Sequence, residues 1–128
     1  MFSPPLTLFL LPETFAVCRL PADAALPAWA LSGAFCAITR TAEELSIVCV
    51  QARVPPGVTC QPGWRGLQVA GPLDFGLTGV LASLAQPLAE AGVSIFAIST
   101  YDTDYLLAPA ASLDAALAAL RSAGHILA

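Results

Sequence analysis

The stretch Gly71–Ala108, GPLDFGLTGVLASLAQPLAEAGVSIFAISTYDTDYLLA, decides how this chain folds. Gly71-Pro72 is a turn signal. Thr78–Glu90 then sets Val80, Leu81, Leu84 and Leu88 at helical spacing, with Thr78 expected to cap the start and Gly92 to close the end. Pro87 falls inside that helix, where it has no N–H to give Ser83 and should bend the axis. Val93–Ser99 and Tyr105–Ala108 are apolar, β-branched-rich runs flanking the polar Thr100–Asp104, which predicts a hairpin.

Working outward, Trp64–Val69 reads as a strand before this stretch. Ser112–Ala123 reads as a second helix after it, with Ser112 as cap, Leu113, Leu117 and Leu120 on one face, and Gly124 as stop. His125–Leu127 supplies a last strand. Residues 64–128 therefore spell β-α-β-β-α-β, the ferredoxin-like order of an α+β fold: an antiparallel sheet with two helices on one face.

The first half is a reduced version of the same plan. Leu6–Leu11 and Phe15–Leu20 read as two strands split by Pro12-Glu13-Thr14. Ala22–Leu31, with Pro27 inside, is at most a short or broken helix. Phe35–Thr41 and Leu45–Val50 form a hairpin, and the Pro- and Gly-rich Gln51–Gly63 is a connector, with room for a brief strand at Val58–Cys60. The two hairpins align without gaps at an offset of 60, pairing Ala37-Ile38 with Ala97-Ile98 and Glu44 with Asp104. Pro21-Ala22-Asp23 matches Pro72-Leu73-Asp74 at an offset of 51, so the second half carries nine more residues where its helix stands. The reading is a duplication: an abbreviated unit over 1–63 and a full one over 64–128. Halves this small bury little surface alone, and crevices between them suit a small ligand.

Composition narrows the function. Apolar residues make up 57% of 128 and charged residues 11%, which excludes disorder. The net charge of −4, with five Arg, no Lys and no basic run, argues against nucleic acid and against a polybasic membrane anchor. Mean hydropathy is +0.76, yet the longest charge-free stretches, Ala24–Thr39 and Phe75–Ala89, are too short and too interrupted to span a bilayer. No export signal is visible, so a cytoplasmic location is expected.

Catalytic chemistry finds little support. The lone histidine, His125, and the lack of GxSxG leave no serine triad, and no GxxxxGK[ST] or GxGxxG cradles a phosphate. The cysteines at 18, 36, 49 and 60 make no CxxC pair, so they are expected as buried thiols rather than metal ligands, with Cys36 and Cys49 facing each other across the first hairpin. No metal or cofactor is expected. Trp29 and Trp64 read as packing anchors, Arg40 and Arg65 as surface or ion-pairing residues, and His125 as a strand-edge residue. Two features remain. Asp102 and Asp104, at the second hairpin's tip, suit a cationic group or acid–base work. The loop 71–78 leads into a helix N-terminus whose amides suit an anion. Together they match a zwitterionic amino acid.

Residues 71–108 resemble the ACT domain, in the variant found in small bacterial tandem-ACT proteins and, in its hairpin pattern, in the eukaryotic arginine sensors. TGVLASLAQPLAEAGVSI is similar to the ACT pattern of a Gly at the helix start, leucines, then AEAG before a strand; ISTYDTDYLL is the more specific part. TFAVCRLPADAALPAWAL and TRTAEELSIVCV resemble the first unit of those proteins. The resemblance implies two ACT-like units in tandem, a ligand-sensing role rather than an enzymatic one, and an amino acid or similar small zwitterion bound at an interface between ACT units. It implies a homodimer, because the arginine sensors hold more ACT units than fit in 128 residues. Carried over by motif, Thr100, Tyr101 and Asp104 line the pocket, with Ile98 and Ser99 beside them, and Asp74, Phe75, Gly76, Leu77, Thr78 and Gly79 form the loop before the helix. One departure is that many ACT domains carry an acid three residues before the helix Gly, where this chain has Gly76. The competing expectations are a self-associating structural module without a ligand and an enzyme using Asp102 and Asp104.

Overall fold

The computed structural model describes residues 5–74 and 76–128. Seven strands and two α-helices follow in the order β1 (Thr7–Leu20), β2 (Cys36–Arg40), β3 (Leu45–Val50), β4 (Cys60–Val69), α1 (Val80–Glu90), β5 (Phe96–Ser99), β6 (Asp104–Pro109), α2 (Leu113–Ser122) and β7 (Ile126–Leu127). No helix among the described residues is long and apolar enough to cross a membrane.

The chain divides into two compact units. One is Glu13–Trp64; the other joins the segment through Pro12 to Arg65–Ala128. The contiguous 1–63 and 64–128 suggested by the sequence differ from these mainly by the start of β1. The reason is visible in the second unit's strand order, β7-β1-β4-β6-β5. β7 has only two residues and pairs parallel to Thr7 and Leu8 of β1, while Ala70 N–H donates to Thr7 O at 2.8 Å. The N-terminal strand thus stands between the first and last strands of the β-α-β-β-α-β run. Leu8, fully buried, joins Leu67, Val69, Leu84, Leu88, Leu106 and Leu120 in one core between sheet and helices.

β1 is one strand of 14 residues rather than two split at Pro12. Pro12 falls between the β7-paired start and the β3-paired Phe15–Leu20, a position at which its missing N–H interrupts neither of those ladders. Pro62 and Gly63 likewise lie inside β4, where a connector was expected; Gly63 takes φ 80°, and its N–H donates to Gln51 Oε1 at 2.7 Å.

The Glu13–Trp64 unit orders its strands β2-β3-β1-β4. Its core gathers Ala16, Cys18, Ala30, Leu45, Ile47 and Cys49, and Phe15 meets Phe35 edge-on at 5.5 Å. Where the other unit has α1, this one has a single 3₁₀ turn, Ala28–Ala30.

The two hairpins correspond at an offset of 59, not 60: Arg40 pairs with Leu45, and Ser99 with Asp104. Matching threonines set both turns. Thr41 N–H donates to Glu44 O and Thr41 Oγ1 accepts from Glu44 N–H; Thr100 N–H donates to Thr103 O and Thr100 Oγ1 accepts from Thr103 N–H. A shift of one residue turns every side chain to the other face of the sheet. So Asp104 stands where the first unit has Leu45, which is fully buried, and Ser99 stands where it has Arg40.

Candidate functional site

The site begins at a contact between two loops of the second unit. Leu73 N–H donates to Asp102 O at 2.6 Å, tying the segment after β4 to the β5–β6 turn. Thr103, only 6% exposed, donates its hydroxyl to Val69 O at 2.6 Å and locks the turn to the end of β4. A Cβ added at Gly71 would lie 2.9 Å from Asp102 O and 3.2 Å from Thr103 Cβ, so only glycine lets the two loops come this close.

Beside this contact lies a cleft of about 250 Å³, at the small end of ligand sites. One wall is Leu73, Asp74, Leu77 and Val80; the other is Ser99 to Asp104. Of the residues expected from sequence, Asp74, Leu77, Ser99, Thr100, Tyr101 and Asp104 line it. Gly76, Thr78, Gly79 and Ile98 stand next to lining residues in the chain but do not line it themselves. Phe75 lies outside the described residues. Asp102, singled out in the sequence with Asp104, lines it too, and Leu73, Val80 and Thr103 complete the lining. Thr103 and Leu73 went unnoticed in the sequence, since their roles rest on contacts with residues about 30 positions away.

The polar groups divide between two tasks. Asp74 serves its own loop: its carboxylate accepts Gly76 N–H at 2.7 Å and its carbonyl accepts Leu77 N–H at 3.0 Å. Asp104 is half-buried, at the sheet position that the other unit gives to a core leucine. Thr78 does not cap α1. The cap position is Gly79, at φ 79°, with no side-chain bond. Because the first bond along the helix runs from Ser83 N–H to Gly79 O, the amides of Val80, Leu81 and Ala82 make none within the helix. The cleft therefore has Asp102 and Asp104 on one wall, and Asp74 with Val80, the first residue of α1, on the other.

In the first unit Arg40, at the place of Ser99, donates Nη1 to Ala22 O and Nη2 to Ala24 O at 2.8 Å. A protein guanidinium thus occupies the loop carbonyls there. Arg65 likewise donates to a carbonyl, Leu11 O at 3.2 Å, so neither arginine is a simple surface charge. Among the described residues no group of three or more His, Cys, Asp or Glu side chains is placed to hold a metal ion.

Comparison with known proteins gives the following likenesses. Residues 59–122 match the family model described as ACT domain, and residues 13–57 match a model of an N-terminal domain. A crystal structure of an Agrobacterium tumefaciens protein is 41% identical, with a TM-score of 0.93, covering 98% of this chain and 94% of that one. The regulatory subunit of aspartate kinase from Thermus thermophilus shares the fold at a TM-score of 0.62 and 16% identity, over 88% of this chain and 93% of that one. The human cytosolic arginine sensor for mTORC1 subunit 1 is 43% identical over 47 residues, which is 36% of this chain and only 14% of the sensor.

Proposed function

Because the chain belongs to the ACT domain family, whose members are regulatory small-ligand-binding modules, we propose that its second unit binds a free amino acid and that the protein acts as a regulatory sensor, not a catalyst. One observation carries this reading. Asp104 occupies a sheet position given to a buried leucine in the first unit, and it lines the same cleft as Val80, the first residue of α1. A carboxylate in a half-buried place costs stability unless a cation meets it. An amino group answers Asp104, and a carboxylate answers the helix amides. Match to part of an arginine sensor supports an amino acid as the ligand class. Leu77 and Tyr101, 54% and 82% exposed at the rim, suit closure by a second copy of the chain, which makes the binding form a homodimer.

The test is thermal unfolding of the chain against each of the twenty amino acids at millimolar concentration. A ligand at about 100 times its Kd adds ~2.7 kcal/mol, several degrees in Tm. One amino acid, or a small group of related ones, is expected to raise Tm, and Asp104→Asn is expected to abolish the rise. A flat panel with unchanged self-association in sedimentation would overturn the sensor and leave an assembly module.

A further inference from the structure

All four cysteines of the chain lie in the Glu13–Trp64 unit, one on each of its four strands: Cys18 on β1, Cys36 on β2, Cys49 on β3 and Cys60 on β4. Cys36 is exposed and Cys49 is fully buried, yet the β2–β3 register sets them directly opposite each other. Hydrogen-bonded and non-hydrogen-bonded pairs alternate along an antiparallel ladder. Thr41 N–H donates to Glu44 O, so Arg40/Leu45 is a non-hydrogen-bonded pair, and so, two steps and four steps on, are Ile38/Ile47 and Cys36/Cys49. Cα atoms of such pairs lie about 4.5 Å apart, with their side chains closest; disulfides need about 4.4–6.8 Å. β2 ends the strand order of this unit, which leaves the Cys36 side of the pair open.

The buried side is furnished as well. Cys18 is two residues beyond Ala16, the β1 partner of Cys49, so it shares that face. Burial pushes the Cys18 thiol up to about 12, with Cys49 and Cys60 adding to the effect, so it stays an S–H donor. Burial also raises Cys49, but a hydrogen bond from Cys18 works against this by favouring the Cys49 thiolate.

We propose that Cys36 and Cys49 form an oxidative modification site, at which a hydroperoxide converts the two opposed thiols into a cross-strand disulfide. The exposed Cys36 thiolate attacks one peroxide oxygen. The O–O bond breaks, Cys36 becomes a sulfenic acid, and the other oxygen leaves as water after taking a proton. The Cys49 thiolate then attacks the Cys36 sulfur, displaces hydroxide, which takes up the Cys49 proton, and closes the S–S bond. In sum two thiols lose two electrons and two protons, and hydrogen peroxide becomes two waters. Cys18 is not itself consumed. The cysteine pair lies in the Glu13–Trp64 unit, and the residues lining the amino-acid cleft lie in the other.

The experiment treats the full chain with hydrogen peroxide and follows intact mass, free thiols and non-reducing peptide maps. Expected are a mass lower by about 2 Da, two thiols lost, a single linkage between the Cys36 and Cys49 peptides, and reversal by dithiothreitol. Cys36→Ser, at an exposed position, should form no disulfide. Cys49→Ser should stop at a Cys36 sulfenic acid that dimedone traps. Linkage of another pair overturns the proposal. So does oxidation only after unfolding in urea, or passage of wild-type Cys36 to the sulfinic acid without a disulfide.

Discussion

His125 shows what a single residue does here. Pro87 leaves Ser83 O without its helical partner, and the imidazole Nε2 fills the gap at 3.1 Å from that oxygen. Its Nδ1 accepts Leu6 N–H, also at 3.1 Å. These partners require the neutral ring with the proton on Nε2. Only 7% exposed, the ring ties α1 to the chain ends that become β1 and β7; it is not a plain strand-edge residue. His125→Ala would leave the part-buried Leu6 N–H and Ser83 C=O without these partners, at about 1 kcal/mol each. Urea unfolding should show that loss. In a Pro87→Ala background Ser83 O regains a helical N–H, so the same substitution should cost about 1 kcal/mol less. A coupling near zero would mean that the ring acts by packing alone. The gap at Ser83 is legible in the sequence from Pro87. Its remedy is not, because the ring comes from 42 residues away.

At the scale of elements, both hairpins, both helices and the last strand stand where hydrophobic spacing and glycine stops put them. Gly92 closes α1 at φ 73° and Gly124 closes α2 at φ 97°. Register was harder to read. Residue identity favours an offset of 60, whereas the Thr41 and Thr100 turns impose 59. That one step moves Asp104 from the place of half-buried Glu44 to that of fully buried Leu45. The cleft depends on the approach of the segment after β4 to the β5–β6 turn. Gly71→Ala puts a methyl 2.9 Å from a backbone oxygen, which cannot step aside as a side chain would. The expected outcome is a loss of the Leu73–Asp102 bond and at least a tenfold weaker response to the active amino acid, with helix content by circular dichroism unchanged. An unaltered response would separate the cleft from ligand binding.

For the whole molecule, the decisive feature is that β1 serves both units, its start in one and Glu13–Leu20 in the other. Residues 65–128 hold both α-helices and four of the strands or parts of strands, yet the two-residue β7 pairs with β1. Removing the segment through Pro12 also strips fully buried Leu8 from the core. A chain of residues 65–128 alone is therefore expected to show no cooperative unfolding transition, and a chain retaining the N-terminal segment to show one. Cooperative unfolding of the fragment would make the β-α-β-β-α-β run self-sufficient. Periodicity and turn residues by themselves determined both helices, both hairpins and the last strand, because these are written in local spacing along the chain, and the motifs within residues 71–108 carried the family resemblance. The tertiary structure alone decided the insertion of β1 between β4 and β7, the hairpin register, the partners of His125 and the meeting of four cysteines on neighbouring strands. Each of those is a choice of partner between distant segments, made by which backbone groups and apolar faces can be satisfied together.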